Sequence, residues 1–287
     1  MPIKDSELIL NPDGSIYHLN LKPDHIAHTI IFVGDPDRVP LITKHFDVIE
    51  FETQKREFKT QTGRYKGKRL SVISTGIGCD NIDIVLNELD ALVNIDLKTK
   101  TIKQDHTALN IIRIGTSGTL QKKIPVDAFL LNTHAIEFSG LFHSYISNKI
   151  SNLDIEKAFV AHTKWHSEKA NPVVVNSSKR LEKQFESDRT FKGMTGTANG
   201  FYGPQGRFLR LQLQDDGLND KMASFEYEGL QVTNLEMETA AIYGLSKLLG
   251  HHAISLSAII ANRALATFSK DPEAAMEKLI CYTLEKL

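Results

Sequence analysis

Three short segments decide the fold of this chain: Thr29-Ile-Ile-Phe-Val-Gly34, Leu70-Ser-Val-Ile-Ser-Thr75-Gly-Ile-Gly78 and Ile111-Ile-Arg113-Ile-Gly115-Thr116-Ser-Gly118. Each is an apolar run that stops at a glycine turn. Such runs are typical of buried parallel strands, whose carboxyl ends open onto a common crevice where ligands bind. The segments therefore predict an α/β fold with a ligand site at the glycine turns.

Two of these turns also carry an arginine. Arg38 follows the first turn in Gly34-Asp-Pro-Asp-Arg38, and Arg113 stands in the third segment. Glycine lets a ligand approach the backbone, and a guanidinium binds the oxygens of phosphate or carboxylate. A lone arginine more often pairs with a surface carboxylate. Two arginines at matched strand ends favour an oxyanion site, to which Thr116 would donate its hydroxyl.

The composition is that of an ordinary globular protein of 287 residues, with 41% hydrophobic residues, 24% charged residues and a formal net charge of -1. The pI of about 6.8 indicates neither a nucleic-acid nor a membrane partner. Two cysteines, Cys79 and Cys281, argue against a disulfide framework. The N-terminus shows no secretory signal pattern, so we expect a cytoplasmic protein.

Strand-like runs alternate with amphipathic helices along the whole chain, which predicts one layered α/β domain over residues 1–287. Asp80 is predicted to cap a helix, with Asp83 as the second half of a capping box. The polar stretch 94–110 is irregular, and we expect it to cover the surface between a helix and the next strand. Further helices are predicted over 237–249 and from Asp271-Pro272 onward, and strands over 128–132, 171–175, 231–234 and 253–260.

The segment Asn234-Leu-Glu236-Met237-Glu238 lies at a predicted strand-to-helix junction. Carboxylates two residues apart can both reach the crevice there, and one of them can accept hydrogen bonds from the vicinal hydroxyls of a sugar. The alternative is that the two acids only stabilise the first turn of the helix through its dipole. Spacing alone favours this second interpretation.

The loop Gly200-Phe-Tyr-Gly-Pro-Gln205-Gly-Arg207 combines aromatic residues with an amide and a guanidinium. The aromatic side chains could stack on a flat ring while Gln205 and Arg207 bind its polar edge. A simple surface turn with its aromatic residues tucked underneath is equally consistent with the sequence.

Patterns for metal or nucleophilic chemistry are weaker. His162 and His166 are four residues apart, but the sequence suggests no third ligand nearby, and the adjacent His251 and His252 would point apart on a strand. No Gly-x-Ser-x-Gly elbow and no P-loop is present.

Taken together, these motifs resemble the nucleoside phosphorylase-I family, and most closely its uridine phosphorylases. The resemblance runs from about Tyr17 to the C-terminus and depends on five motifs in the same order. It implies a single-domain, three-layer α/β/α fold with a mixed central sheet. The motifs are Gly34-Asp-Pro-Asp-Arg38-Val, Ser74-Thr-Gly-Ile-Gly78, Arg113-Ile-Gly-Thr116-Ser-Gly118, Phe201-Tyr with Gln205 and Arg207, and Asn234-Leu-Glu-Met-Glu238-Thr-Ala.

The resemblance also implies a role for each matching residue. Phosphate would be bound by Gly34, Arg38, Arg113 and Thr116, with Arg56 from a neighbouring subunit. The ribose would be held by Glu238, with Glu236 and Met237 beside it, and by His18 across a subunit interface. The base would be bound by Phe201, Gln205 and Arg207, with Ile260 and Ala261 lining its pocket.

The implied reaction is that of a pentosyltransferase, the reversible phosphorolysis of uridine to uracil and ribose 1-phosphate. Inorganic phosphate is the co-substrate and no cofactor is required, although a structural potassium ion at Glu57, Ile77 and Asn81 would fit the family. Arg263 stands where purine-specific relatives carry an aspartate, which favours a pyrimidine. The family implies a homodimer or hexamer with active sites shared between subunits.

In that mechanism Arg113 orients the attacking phosphate, and Gln205 and Arg207 stabilise the departing uracil. Three alternatives remain at this point: a purine nucleoside phosphorylase of the same fold, a nucleosidase that uses water, and a nucleoside-binding protein without catalysis. The arginine set argues against the nucleosidase.

Overall fold

The computed structural model describes residues 2–287. Its helices are α1 (Arg38–Thr43), α2 (Cys79–Asn94), α3 (Leu153–Thr163), α4 (Lys179–Phe185), α5 (Leu218–Ser224), α6 (Thr239–Leu248) and α7 (Pro272–Lys286). Its strands are β1 (Thr29–Val33), β2 (Val48–Lys55), β3 (Phe58–Tyr65), β4 (Lys68–Ser74), β5 (Ile95–Asp96), β6 (Thr101–Ile102), β7 (Asn110–Thr119), β8 (Phe129–Glu137), β9 (Val173–Asn176), β10 (Thr190–Thr197), β11 (Glu226–Tyr227), β12 (Leu230–Glu236), β13 (His252–Asn262) and β14 (Thr267–Phe268).

One 12-stranded sheet organises the chain, in the order β11-β12-β10-β8-β13-β7-β1-β4-β3-β2, with β14 beside β13 and β9 beside β8. The three segments that end in glycine turns form β1, β4 and β7, and β1 pairs with both of the others in parallel. Other neighbours in the sheet pair antiparallel, for example β13 with β8. The predicted mixed sheet is therefore confirmed.

Helices cover both faces of this sheet because the side chains of its strands alternate between two apolar cores. In β1, Ile30 and Phe32 pack in the core that α2 and α6 complete. Ile31 and Val33 point the other way, into the core formed with α1, α4 and α7. This alternation is the period of two that a pleated strand imposes. It confirms the predicted three-layer α/β/α architecture.

The sheet also closes on itself, which affects the position of the site. Strand β12 runs parallel to β10 and at its end also pairs with β7, where Asn234 lies opposite Thr119 and Leu235 opposite Gly118. The closure brings the carboxyl end of β12 beside the carboxyl end of β7. Two motifs that are far apart in sequence thereby share one edge.

The capping predicted for α2 is wrong. The helix begins at Cys79, its N-cap is Gly78, and no side chain caps it. Gly78 has a φ of +101°, which lies in the region that favours glycine, so the tight turn leaves Asp80 inside the first helical turn. Asp83 instead accepts a hydrogen bond from the hydroxyl of Tyr145 at 2.5 Å.

Two other helix boundaries illustrate how side chains set them. The helix predicted over 237–249 begins only at Thr239, because the Glu236 carboxylate accepts the N–H groups of Glu238 (2.9 Å) and Thr239 (2.8 Å). The start of α7 is as predicted: Asp271 accepts a hydrogen bond from the Ala274 N–H at 2.9 Å, and Pro272 occupies the first turn.

The four strands predicted after residue 120 are all present, with shifted ends: they are β8, β9, β12 and β13. The stretch 94–110 is more regular than predicted, because β5 and β6 pair as a small hairpin. This hairpin covers the surface between α2 and β7 and contacts the N-terminal segment, where Ile3 N–H donates to the Lys100 carbonyl at 2.7 Å. Within residues 2–287 no helix has both the length and the apolar character needed to span a membrane.

Candidate functional site

A cleft of about 770 Å³ opens at the carboxyl ends of β1, β7 and β12. It brings together all of the site residues predicted from sequence except His18 and Arg56. Those that line it are Gly34, Arg38, Glu57, Ile77, Asn81, Arg113, Thr116, Phe201, Gln205, Arg207, Glu236, Met237, Glu238, Ile260 and Ala261.

One end of the cleft is cationic. Arg38 is the first residue of α1 and is half-buried, and Arg113 in β7 is buried with 7% of its surface exposed. Burial, together with the positive charge of Arg113, lowers the pKa of Arg38. Two guanidinium groups that repel each other in a partly desolvated cleft favour the binding of an anion between them.

The hydrogen bonds of the Arg113 guanidinium are only partly satisfied by its protein partners. Its Nη2 donates to Oε2 of Glu238 and lies 3.6 Å from Oε2 of Glu236. Its Nη1 is buried and has no hydrogen-bond partner among the described residues. An unpaired guanidinium N–H in a closed site costs free energy unless a ligand oxygen accepts from it.

Gly115 leaves the space that this guanidinium occupies. A Cβ built on Gly115 would lie 2.1 Å from Nη1 of Arg113 and 2.8 Å from its Cζ. The side chain of Arg113 therefore folds over the backbone two residues further along the same strand. Residue 115 is a glycine because the guanidinium of Arg113 lies too close to its backbone for a Cβ.

The middle of the cleft carries the two carboxylates. Glu238 lies at the N-cap of α6 and accepts the Gly78 N–H at 2.9 Å as well as the Arg113 guanidinium, so it joins the turns after β4 and β12 to strand β7. Burial raises the pKa of Glu238, and the charge of Glu236 raises it further while Arg113 opposes the shift. The two acids do more than stabilise a helix dipole, because both are buried and both have specific partners.

Glu236 is the less available of the two carboxylates. Its Oε1 accepts from the hydroxyl of Thr197 at 2.5 Å, and its Oε2 accepts two N–H groups and the hydroxyl of Thr239 at 2.8 Å. A carboxylate that already accepts four hydrogen bonds from the protein holds those donor groups in position. Glu238 is therefore the better candidate for contact with a ligand.

The other end of the cleft is aromatic and polar. Gln205 is buried, and its Oε1 accepts from Nη1 of Arg207 at 2.6 Å. The guanidinium of Arg207 lies over the ring of Phe201, 3.9 Å from its centroid. Phe201 itself is 51% exposed, which leaves its other surface free to stack on a planar group. The loop is thus more than a turn that covers its own aromatic residues.

Arg263 was not assigned a contact in this site from the sequence, yet it borders the aromatic end. Its Nη1 donates to the Gln205 carbonyl at 2.7 Å, and burial together with Arg207 lowers its pKa to about 10. The available signal was its position directly after the long strand β13. From the sequence, that position argued only against a purine-type aspartate.

His18 and Arg56 lie outside the cleft of their own chain. The backbone N–H of His18 donates to the carboxylate of Glu88, and its Nδ1 lies 2.6 Å from Oε1 of the same residue. Arg56 is exposed in the turn between β2 and β3 with a φ of +56°. Neither side chain therefore lines the cleft of its own chain.

The residues considered for a potassium ion are neighbours. Glu57 and Asn81 both lie against Gly76, and Nδ2 of Asn81 donates towards the Ile77 carbonyl at 3.4 Å. An amide N–H cannot ligate a cation, so Asn81 would have to present its oxygen instead. Potassium binding therefore stays a prediction.

The cleft therefore combines the features expected of a phosphorylase. These are a cationic end, paired carboxylates and an aromatic end, at the carboxyl edge of a mixed sheet. The chain matches the sequence profile of the phosphorylase superfamily over residues 28–281 and belongs to that family. It is 30% identical over 275 residues to a uridine phosphorylase of Thermococcus kodakarensis, covering 92% of this chain and 84% of the relative. A purine nucleoside phosphorylase of Colwellia psychrerythraea is 26% identical over 94% of this chain and 98% of the relative.

Similarity to a solved structure agrees with the sequence. A nucleoside phosphorylase of Trypanosoma brucei, described as showing uridine phosphorylase activity, superposes with a TM-score of 0.88. The two chains are 31% identical, and the match covers 98% of this chain and 99% of the other.

Proposed function

We propose that this enzyme is a pentosyltransferase that catalyses the reversible phosphorolysis of uridine to uracil and ribose 1-phosphate. The observation that carries the proposal is the guanidinium of Arg113, which is paired on one side with Glu238 and has an unsatisfied, buried Nη1 on the other. An inorganic phosphate would satisfy that donor while the carboxylate beside it holds the sugar. The names of two relatives, from Thermococcus kodakarensis and Trypanosoma brucei, favour uridine.

In the proposed mechanism phosphate is the nucleophile and no covalent intermediate with the enzyme forms. Arg38, Arg113, Thr116 and the backbone at Gly34 would hold phosphate beneath the anomeric carbon, which converts a collision into an oriented attack. As the glycosidic bond breaks, positive charge develops on the sugar and negative charge on the base. The carboxylate of Glu238 lies on the sugar side, and its hydrogen bonds to the ribose hydroxyls fix the ring.

The departing base would be stabilised at the aromatic end of the cleft. Phe201 offers a stacking surface, and Gln205 and Arg207 donate to the uracil oxygens and ring nitrogen as negative charge grows there. Ile260 and Ala261 would close the pocket around the ring. Because Gln205 already accepts from Arg207, its amide is oriented with the N–H groups free to donate.

We further propose that the active sites are shared within a homodimer or a hexamer, with His18 and Arg56 supplied by a neighbouring subunit. Their positions outside the chain's own cleft support this. So does the apolar surface beside the loop 200–207, where Phe208 is 61% exposed, Leu209 72% and Leu211 78%. The single domain over 1–287, a cytoplasmic location and the absence of a required cofactor belong to the same proposal. Potassium binding stays a prediction and enters no step of the mechanism.

A spectrophotometric assay of base release from uridine, thymidine and inosine, with and without phosphate, tests the function. We expect phosphate-dependent cleavage with uridine preferred, and no cleavage by the Arg113→Ala variant. Cleavage without phosphate would identify a nucleosidase, and preference for inosine would identify a purine enzyme. Binding without release from any of the three would indicate a non-catalytic protein.

Mixing two inactive variants tests the shared site. Each proposed site takes Arg113 from one subunit and Arg56 from its neighbour. A dimer of one Arg56→Ala chain and one Arg113→Ala chain would therefore hold one intact site and one site that lacks both arginines. Random re-association of the two variants should restore up to about a quarter of the wild-type activity, as an isologous dimer requires. No recovery on mixing, in a sample whose mass shows an oligomer, would contradict the assignment of Arg56.

A further inference from the structure

Three side chains of different chemistry converge on the outer layer of the molecule, away from the cleft. His45 follows the C-terminal end of α1, and Glu277 and Cys281 stand one turn apart on α7. His45 Nε2 lies 3.0 Å from Oε1 of Glu277, and the Sγ of Cys281 lies 4.0 Å from that same oxygen. All three ligand atoms are within 4.8 Å of one another, and all three residues are half-buried.

We propose that His45, Glu277 and Cys281 bind one thiophilic divalent cation, with Zn²⁺ as the best fit. Imidazole, thiolate and carboxylate are the ligands that zinc prefers, and a thiolate with a single carboxylate excludes Mg²⁺ and Ca²⁺. Around a tetrahedral zinc ion the ligand atoms lie about 3 to 4 Å apart. The present spacing needs only small side-chain movements to reach that arrangement, and water would supply the fourth ligand.

The charges of the site also suit a divalent ion. A zinc ion bound by the Glu277 carboxylate, the Cys281 thiolate and neutral His45 forms a complex with no net charge, and the thiol proton is released to solvent on binding. In the present structure the Nζ of Lys44 lies 2.8 Å from Oε2 of Glu277. Lys44 therefore competes with the metal for the carboxylate, and its removal should strengthen binding.

A second group of possible ligands, Asp90, His106 and His251, is less suitable. The Nδ1 of His251 accepts the Leu109 N–H at 3.2 Å, which places the ring proton on Nε2, the atom that faces Asp90. A protonated nitrogen has no lone pair for a metal. The Nε2 of His106 donates to the Leu249 carbonyl at 2.9 Å, which is not a ligand of that group. The Nε2 of His45 faces only the Glu277 carboxylate, which would bind the same ion, so the ring proton of His45 can move to Nδ1 when the metal replaces that hydrogen bond.

Metal binding would cross-link two elements that are distant in sequence. The ion would fasten the end of α1 to the middle of α7, and α1 begins at Arg38 on the wall of the cleft. It is a structural role, separate from the phosphorolysis proposed above. Because metal binding is measured without substrate, the result does not depend on the proposed function.

The experiment is a titration of the chelator-stripped enzyme with Zn²⁺ in competition with a chromophoric chelator, together with absorption spectra of the Co²⁺ form. We expect one ion per chain and a thiolate-to-Co²⁺ charge-transfer band. Since the loss of even an outer partner of a metal ligand costs about 10- to 100-fold in affinity, Cys281→Ser and His45→Gln should each weaken zinc binding by at least about 100-fold. The charge-transfer band should disappear in Cys281→Ser.

Two further variants make the test specific. Lys44→Met should bind zinc more tightly than the wild type, and His106→Ala, the matched control from the second group, should bind it equally well. Zinc should raise the melting temperature of the wild type and of His106→Ala, but not of Cys281→Ser. No stoichiometric binding by the wild type, a band that persists in Cys281→Ser, or loss of binding in His106→Ala would each overturn the proposal.

Discussion

Arg113 and Glu238 form a buried ion pair although 125 residues separate them in the chain. Oε2 of the carboxylate accepts from the guanidinium, and its Oε1 accepts from the Gly78 N–H at 2.9 Å. The pair thus connects the anion end of the cleft to the proposed sugar site. Changes at either residue should affect both, whereas changes at the aromatic end should affect selectivity for the base.

Glu238→Gln should lower kcat/KM for uridine by about 100-fold or more, since truncating one member of a buried charge pair leaves the other unpaired. A glutamine has one carbonyl oxygen and cannot accept from both Gly78 and Arg113 in the way that the carboxylate does. Steady-state kinetics with uridine and 2′-deoxyuridine measure the effect. A larger loss for uridine is expected if the carboxylate holds the 2′-hydroxyl, and equal losses would contradict that role.

Gly115→Ala should raise the KM for phosphate, because the new Cβ would lie 2.1 Å from Nη1 of Arg113 and displace the guanidinium. A misplacement of about 1 Å can cost about 100-fold in rate. Gly118→Ala is the matched control on the same strand, since its Cβ would meet nothing closer than 3.6 Å. Phosphate-saturation kinetics of the two variants give the comparison, and an unchanged KM in Gly115→Ala would remove Arg113 from the phosphate site.

Arg207→Ala should lose selectivity between nucleosides, with a fall in uridine turnover of about 100- to 1000-fold, the usual cost of losing one donor to a developing anion. The guanidinium also orients Gln205 and covers Phe201, so its loss should loosen the whole loop 200–207. Arg210→Ala, at an exposed arginine three residues further along the chain, is the control. Relative rates on uridine and inosine that match the wild type would count against the base-site assignment.

Stability should fall in mild acid because of His134. Burial, with a smaller effect of Lys179, lowers the pKa of His134 to about 4 in the native state. In the unfolded chain the same ring takes up a proton near pH 6.5. The unfolded state therefore binds more protons between these values, so the contribution of neutral His134 to stability is complete above about pH 6.5 and is lost as the pH falls towards 4.

His134→Gln should flatten this part of the pH profile. The free energy of unfolding, measured by urea denaturation at pH 7 and pH 5, should fall less in the variant than in the wild type. The exposed His28→Gln is the control and should keep the full acid sensitivity. A profile for His134→Gln that parallels the wild type would show that another group governs the acid response.

Local patterns in the sequence were sufficient for the layered α/β fold and for most of the cleft. The apolar runs of β1, β4 and β7 have the length and the glycine ends of buried parallel strands, and those properties hold wherever the strands lie in the sheet. The residues at their ends were therefore predicted to share a crevice. The helix cap at Asp271 follows from an equally local hydrogen bond.

Only the tertiary structure decided what depends on contacts between distant segments. The first turn of α2 is set by the Gly78 turn and its bond to Glu238, so the cap that the sequence suggested at Asp80 does not form. The pairing of β12 with β7 placed Glu238 against Arg113, and the convergence of α1 and α7 placed His45 beside Cys281. Local propensity acts over a few residues, whereas these contacts arise from packing a closed sheet between two helical layers. Local patterns in the sequence therefore do not reveal which distant side chains meet.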